Sequence, residues 1–220
     1  MTLPIAVLIS GTGSNLGAIL AAIENGRCDA RVCAVLSDRD SAAGLALAQS
    51  RGIATAVIKL KDYENRERWD AALAEAAAAY EPSLIVLAGF MKLVGKAFIE
   101  RFPSRVINVH PSLLPLFPGT DGPAQALRAR VRVSGCSVHI VDSGVDTGPI
   151  VAQAVVQVLP ADDADRLHLR IQGAEHRLLP AVIDAIARGA IELSPSLRIA
   201  EPCFDEGAML VSPALFGDPK

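Results

Sequence analysis

Cysteine is scarce and scattered. The four thiols of the 220-residue chain, Cys28, Cys33, Cys136 and Cys203, include no CxxC pair. That excludes a zinc ribbon or a disulfide framework and predicts reduced thiols in a cytosolic protein. No two histidines or cysteines stand at metal-ligand spacing, so no metal is expected. Charge of one sign is lacking too: 21 Lys and Arg against 24 Asp and Glu leave a net −3. The basic footprint of a nucleic-acid binder or of a protein on an anionic membrane is thereby excluded. No apolar run approaches the ~18 residues of a membrane span. The first such run has no basic segment before it and is soon cut by "SGTGSN", which speaks against a signal peptide. There is no internal repeat. A small metabolite is the kind of partner these absences leave.

What is present is an apolar chain, 51% hydrophobic, long enough to bury one sizeable core. One domain is expected over residues 1–200, with a tail at 201–220 that lacks periodicity and is expected to be partly disordered. Short β-branched runs alternate with Ala- and Leu-rich stretches: "IAVLIS" (5–10) before "NLGAILAAIENG", "VCAVLSD" (32–38) before "SAAGLALAQSRG", and "TAVIKL" (55–60) before a helix over 64–80. "SLIVLAGF" (83–90) and "RVINVH" (105–110) follow, with a helix at 95–101 between them. This alternation predicts an α/β fold, a mainly parallel sheet with helices on both faces. "PSLLPLFPGTDGP" reads as loop, rich in Pro and Gly. Residues 134–158 read as two antiparallel strands joined by a Gly- and Asp-rich turn, and 163–189 as a closing helix.

Ligands of open α/β sheets bind outside the carboxyl ends of the strands. The tips of "IAVLIS", "SLIVLAGF" and "RVINVH" are therefore expected to share one cleft. "SGTGSN" (10–15) joins the first strand to the first helix; Gly11 and Gly13 allow close backbone approach, and Ser14 or Asn15 is placed to cap the helix. Exposed N–H groups and the helix dipole make such a turn an anion site, and a plain tight turn is the bland alternative. A dinucleotide fingerprint fits less well, because Leu16 stands at its third glycine, and no GK[ST] follows for a P-loop. In "NVHPSLLP", Asn108 and His110 are two apart on a strand and so project to the same side, a donor pair suited to an oxyanion formed in acyl transfer. In "DSGVDTGP", Asp142 or Asp146 placed beside His110 would orient it and favour its charged form; spacing does not choose between them. His139 alternates within a strand and reads as packed or surface. His168 and His176 read as exposed or partner-bonded on the last helix, and Glu175 reads by default as an exposed helical carboxylate.

"VLISGTGSNL", "VLAGFMKLV", "VINVHPSLLP", "VDSGVDTGPI" and "IQGAEHRLLP" together resemble the 10-formyltetrahydrofolate-dependent formyltransferases, over residues 4–190. Within them "SGTGSN" resembles the phosphoribosylglycinamide formyltransferase branch, enzymes of purine biosynthesis. The resemblance implies a Rossmann-like sheet and transfer of a formyl group from 10-formyltetrahydrofolate, a co-substrate, to the amine of glycinamide ribonucleotide. It implies that Gly13, Ser14 and Asn15 hold the substrate phosphate and that Glu175 contacts the substrate. Arg66, Met91, Lys92, Leu93 and Val94 would contact the folate, and Val141, Asp142, Ser143, Gly144, Val145 and Asp146 would cover its pterin. Asn108, His110 and Asp146 would be the catalytic trio. A monomer or homodimer is expected. Methionyl-tRNA formyltransferases and formyltetrahydrofolate deformylases are set aside on size. One stretch departs from the family: after "PSLLPLFPG", where a Leu and a histidine-containing segment are usual, this chain has Thr120, Asp121, Gly122 and Pro123. Two other classes remain: a sensor of phosphorylated ligands, and a nicotinamide-dependent oxidoreductase with Asp38 or Asp40 on a ribose.

Overall fold

From Ile5 to Ile9 every side chain of the first strand is fully buried, as an apolar run covered on both faces must be. In the computed structural model this strand, β1 (Leu3–Ile9), pairs in parallel with β2 (Ala30–Ser37) on one side and β4 (Leu84–Leu87) on the other. β3 (Ala54–Val57) extends the sheet beyond β2, and β5 (Val106–His110) extends it beyond β4, again in parallel. The order β3-β2-β1-β4-β5 is joined by helices α1 (Ser14–Glu24), α2 (Ala43–Gln49), α3 (Arg66–Ala78) and α4 (Lys96–Arg101). Gly26 sits at φ 68 just past α1, and the bonds Arg27 N–H to Ala22 O and Gly26 N–H to Ile23 O close a Schellman turn.

The structure describes residues 2–194, 196–199 and 211–212. They group into two compact units, Met1–Asn108 and Val109–Lys220, with the division inside β5. The second unit holds α5 (Gly122–Arg128), β6 (Val133–Ile140), β7 (Ile150–Gln157) and the 24-residue α6 (Ala164–Ala187). β6 and β7 are antiparallel, as expected. α6 lies on them through a stripe of Leu167, Ile171, Ala174, Leu178 and Val182, spaced by three and four. Short antiparallel pairs join β8 (Ile191–Glu192) to β9 (Arg198–Ile199), and β10 (Val211–Ser212) to β7. The expectation for the tail at 201–220 otherwise lies outside the described residues, as does Cys203; Cys28, Cys33 and Cys136 form no disulfide among the described residues.

Helix α5 corrects the sequence reading, which ran the loop through Pro123. Gly122 and Pro123 open the helix instead. Proline has no N–H to lose in a first turn, and its fixed φ is already helical. Gly122 is required at close quarters: a Cβ there would lie 2.7 Å from the Pro111 carbonyl oxygen.

Candidate active site

Asn108 and His110 close β5, and Pro111 stops the strand. The His110 ring is 5% exposed. Its Nε2 lies 2.9 Å from the Phe117 carbonyl oxygen and its Nδ1 3.4 Å from Asp146 Oδ2. An imidazole with an acceptor at each nitrogen is satisfied at both only when it carries both protons. Asp146 sits in the left-handed region at φ 55, a conformation that Asp and Asn tolerate better than most residues. Its Oδ2 also accepts from Gly119 N–H at 2.8 Å, and its Oδ1 lies 3.5 Å from His139 Nε2. Burial pushes the Asp146 carboxyl up. The His139 hydrogen bond, the Gly119 N–H and the neighbouring His110 and His139 charges outweigh burial and hold it below the usual range.

His139 is the residue that sequence reasoning missed. It is packed, as expected for its strand, but its buried ring faces Asp146 and its Nδ1 lies 3.0 Å from the Ile140 carbonyl oxygen. Asp142, by contrast, closes on its own turn: its Oδ1 accepts from Gly144 N–H at 3.0 Å and from the Thr147 hydroxyl at 2.7 Å. The geometry thus separates two aspartates that spacing did not.

A network behind His110 fixes the loop that supplies Phe117 and Gly119. The Ser137 hydroxyl donates to Ser112 O at 2.7 Å and accepts from Leu114 N–H at 3.0 Å. The Gln153 amide donates to Leu114 O and to Ser137 Oγ, each at 2.9 Å. Glu175 is buried on α6 rather than exposed, and after burial its charge is the next cause raising the Cys136 thiol. His168 is exposed, in line with expectation. His176 fits neither reading: its Nε2 is buried without a hydrogen-bond partner among the described residues, and burial lowers its pKa.

In the first unit, "SGTGSN" follows β1 and opens α1. Gly13, not Ser14 or Asn15, is the N-cap, at φ 76 and with no side-chain cap bond. Its shape is dictated by packing, since a Cβ on Gly13 would lie 2.6 Å from Gly44 Cα at the start of α2. The structure brings this loop to the segment after β4, where Ser10 Oγ accepts from Met91 N–H at 2.8 Å and Ser10 N–H donates to Gly89 O at 3.1 Å. Arg66 donates to the Leu93 carbonyl and lies 5.6 Å over the Trp69 ring. Met91 and Leu93 are exposed, and Val94 is buried. Asp38 is gripped by Arg39 at 3.0 Å and Asp40 by Lys59 at 2.6 Å, so both ribose-binding candidates are already engaged. Among the described residues no cluster of His, Cys, Asp or Glu is placed to hold a metal ion, and no helix is long and apolar enough to cross a membrane.

The formyl transferase family model matches residues 3–183. The chain belongs to that family. It is 48% identical over 183 residues to phosphoribosylglycinamide formyltransferase of Mycobacterium tuberculosis, covering 83% of this chain and 84% of that one. The same-named protein of Bacillus subtilis is 39% identical over 81% of this chain and 91% of its own. Among solved structures, glycinamide ribonucleotide transformylase 1 of Symbiobacterium toebii superposes with a TM-score of 0.87 at 44% identity, over 91% of this chain and 95% of that one. The formyltransferase is therefore an enzyme, with the mixed, mostly parallel α/β fold of its relatives.

Proposed function

We propose that this formyltransferase moves the formyl group of 10-formyltetrahydrofolate to the amine of glycinamide ribonucleotide, in purine biosynthesis. The observation that carries this reading is the strand end. Asn108 and His110 project to one side of β5, and a carboxylate held in its charged form backs the imidazole. The amine attacks the formyl carbon, a new C–N bond forms, and the carbonyl oxygen takes up negative charge. The Asn108 amide and the His110 imidazolium donate to that oxygen. The Nε2–H now given to Phe117 O is the one the oxyanion competes for. Collapse breaks the bond to N10 of the folate, and the proton lost by the amine reaches N10 through His110. Asp146, with Gly119 N–H on the same oxygen, keeps the imidazole oriented. The amine is itself a competent nucleophile, so no covalent enzyme intermediate enters.

The phosphate of the nucleotide is assigned to the Gly13, Ser14 and Asn15 backbone, where α1 begins without a side-chain cap. Glu175 is assigned to the glycinamide end. Arg66, the segment 91–94 and the loop 141–146 are assigned to the folate. A cytoplasmic location and a monomer or homodimer complete the reading. The test is the absorbance change that accompanies loss of the formyl group from the folate. It is expected to require glycinamide ribonucleotide; deformylation that proceeds equally without it would overturn the proposal.

A further inference from the structure

Helix α4 begins with no cap of its own. Gly95 is its N-cap residue and has no side chain, and Phe98 at the third helical position has no carboxylate to reach back. Two orphan N–H groups of a helix start are normally served from within by those two positions. Here a different helix serves both. Asp70 of α3, 2% exposed, accepts from Gly95 N–H on Oδ1 at 2.5 Å and from Phe98 N–H on Oδ2 at 3.0 Å. The fit allows nothing larger than glycine: a Cβ on Gly95 would lie 2.8 Å from both Asp70 Cγ and Oδ2.

Gly95 is also the downstream end of the segment that carries Met91 to Val94. The upstream end is fixed by another buried side chain, since Ser10, 4% exposed, accepts from Met91 N–H and is itself hydrogen-bonded to the Asp38 carboxylate. Between the two ends, Arg66 donates to Leu93 O, and Trp69 of the same helix stacks on Phe90 with centroids 6.4 Å apart. The backbone of 91–95 is thus pinned at both ends by buried polar groups, while Met91 and Leu93 hold their side chains in solvent, 70% and 56% exposed. A fixed backbone that displays bare apolar side chains is a preformed platform, and preorganisation lowers the entropy cost of binding.

We infer that Asp70 is a positioning residue for the folate, one that touches no substrate and sets the 91–95 platform through its two backbone hydrogen bonds. The inference rests on the reading of 91–94 as the folate contact. Asp70→Asn keeps the shape but faces an amide N–H₂ toward at least one backbone donor. Gly95→Ala drives a methyl into the carboxylate from the other side. Each variant is expected to raise the KM for 10-formyltetrahydrofolate and the calorimetric Kd for tetrahydrofolate at least fivefold. The KM for glycinamide ribonucleotide and the kcat at saturating folate should stay within twofold, with all assays run well below each variant's Tm. Placed in an Asp70→Ala background, Gly95→Ala should add nothing, because the group it collides with is gone. Leu93→Ser reads the platform directly. If Leu93→Ser weakens folate binding while Asp70→Asn and Gly95→Ala lower only Tm, Asp70 is merely a helix cap and the inference is overturned. If all three leave the folate constants unchanged, the folate assignment of 91–94 falls and the inference with it.

Discussion

Replacing Asp146 by Asn removes one charge and little else. The amide oxygen can still accept from Gly119 N–H, and Asn tolerates φ 55 at position 146, whereas Ala there would add backbone strain of about 1 kcal/mol. At 3.4 Å, and with an effective dielectric constant near 20, the attraction between the carboxylate and the His110 imidazolium is roughly 5 kcal/mol. The charge is spread over two oxygens and a second imidazole, His139, takes a share. About half of that attraction, roughly 2–3 kcal/mol, remains as the cost of losing it. At 1.36 kcal/mol per decade, kcat should fall about 10²-fold, with both KM values changing little. Steady-state measurement of folate deformylation reads this directly. Asp142→Asn is the control for kcat, since among the described residues the Asp142 carboxylate accepts from Gly144 N–H and the Thr147 hydroxyl and does not face His110. His139→Gln should slow the wild type about threefold to tenfold and leave the Asp146→Asn enzyme unchanged, because His139 acts through that carboxylate. An Asp146→Asn enzyme within threefold of wild type, or an equal loss in Asp142→Asn, would refute the pairing.

Gly11 is exposed, and a Cβ there meets nothing within 4 Å. Gly11→Asp should therefore fold normally, repel a phosphate and raise the KM for glycinamide ribonucleotide at least tenfold, with the folate KM unchanged. Gly13→Ala must instead force the backbone apart from Gly44 and should lower Tm by several degrees by calorimetry, with or without substrate. Asp121→Asn, in the loop where the family's histidine is missing, should change kcat/KM by less than about tenfold. Asp162, bridged by Arg170 at 2.5 Å, is held at about 2, well below the usual carboxylate value. The stability it contributes is complete above about pH 4 and is lost as the pH falls toward 2. Asp162→Asn should lower Tm at neutral pH and flatten that part of the acid limb.

How much of this could be read beforehand depended on whether a residue's partner is a near neighbour in sequence. The parallel strands were legible because burial on both faces demands the continuous runs "IAVLI" and "LIVL". The strand-end pair was legible because Asn108 and His110 interrupt such a run. Helix α5 was not, since its seven residues are too few for periodicity and it opens on turn residues. The expected Ser or Asn cap of α1 failed because the backbone at Gly13 is shaped by Gly44, thirty-one positions away. His139 was hidden because its partner arrives only after the chain turns past Ile140. Asp70 did leave a signal: it is an acid on the same buried face of α3 as Leu73, Ala74 and Ala77. A charge on an apolar stripe demands a partner, and the partner proved to be backbone.

Trp69 is the only tryptophan of the chain. Its indole is fully buried, its N–H donates to Ile58 O at 2.9 Å, and its ring lies parallel to Phe90 at an interplanar angle of 8°. Light near 295 nm therefore excites a single emitter stacked on Phe90, the residue next to the 91–95 platform, and lying under Arg66, which holds the Leu93 carbonyl. Any loosening of that platform, by a variant, by acid or by warming, should change emission intensity and wavelength without a label. The same indole gives one side-chain N–H resonance that follows the platform in the intact protein, so its rigidity is a property that can be watched in solution while the enzyme turns over.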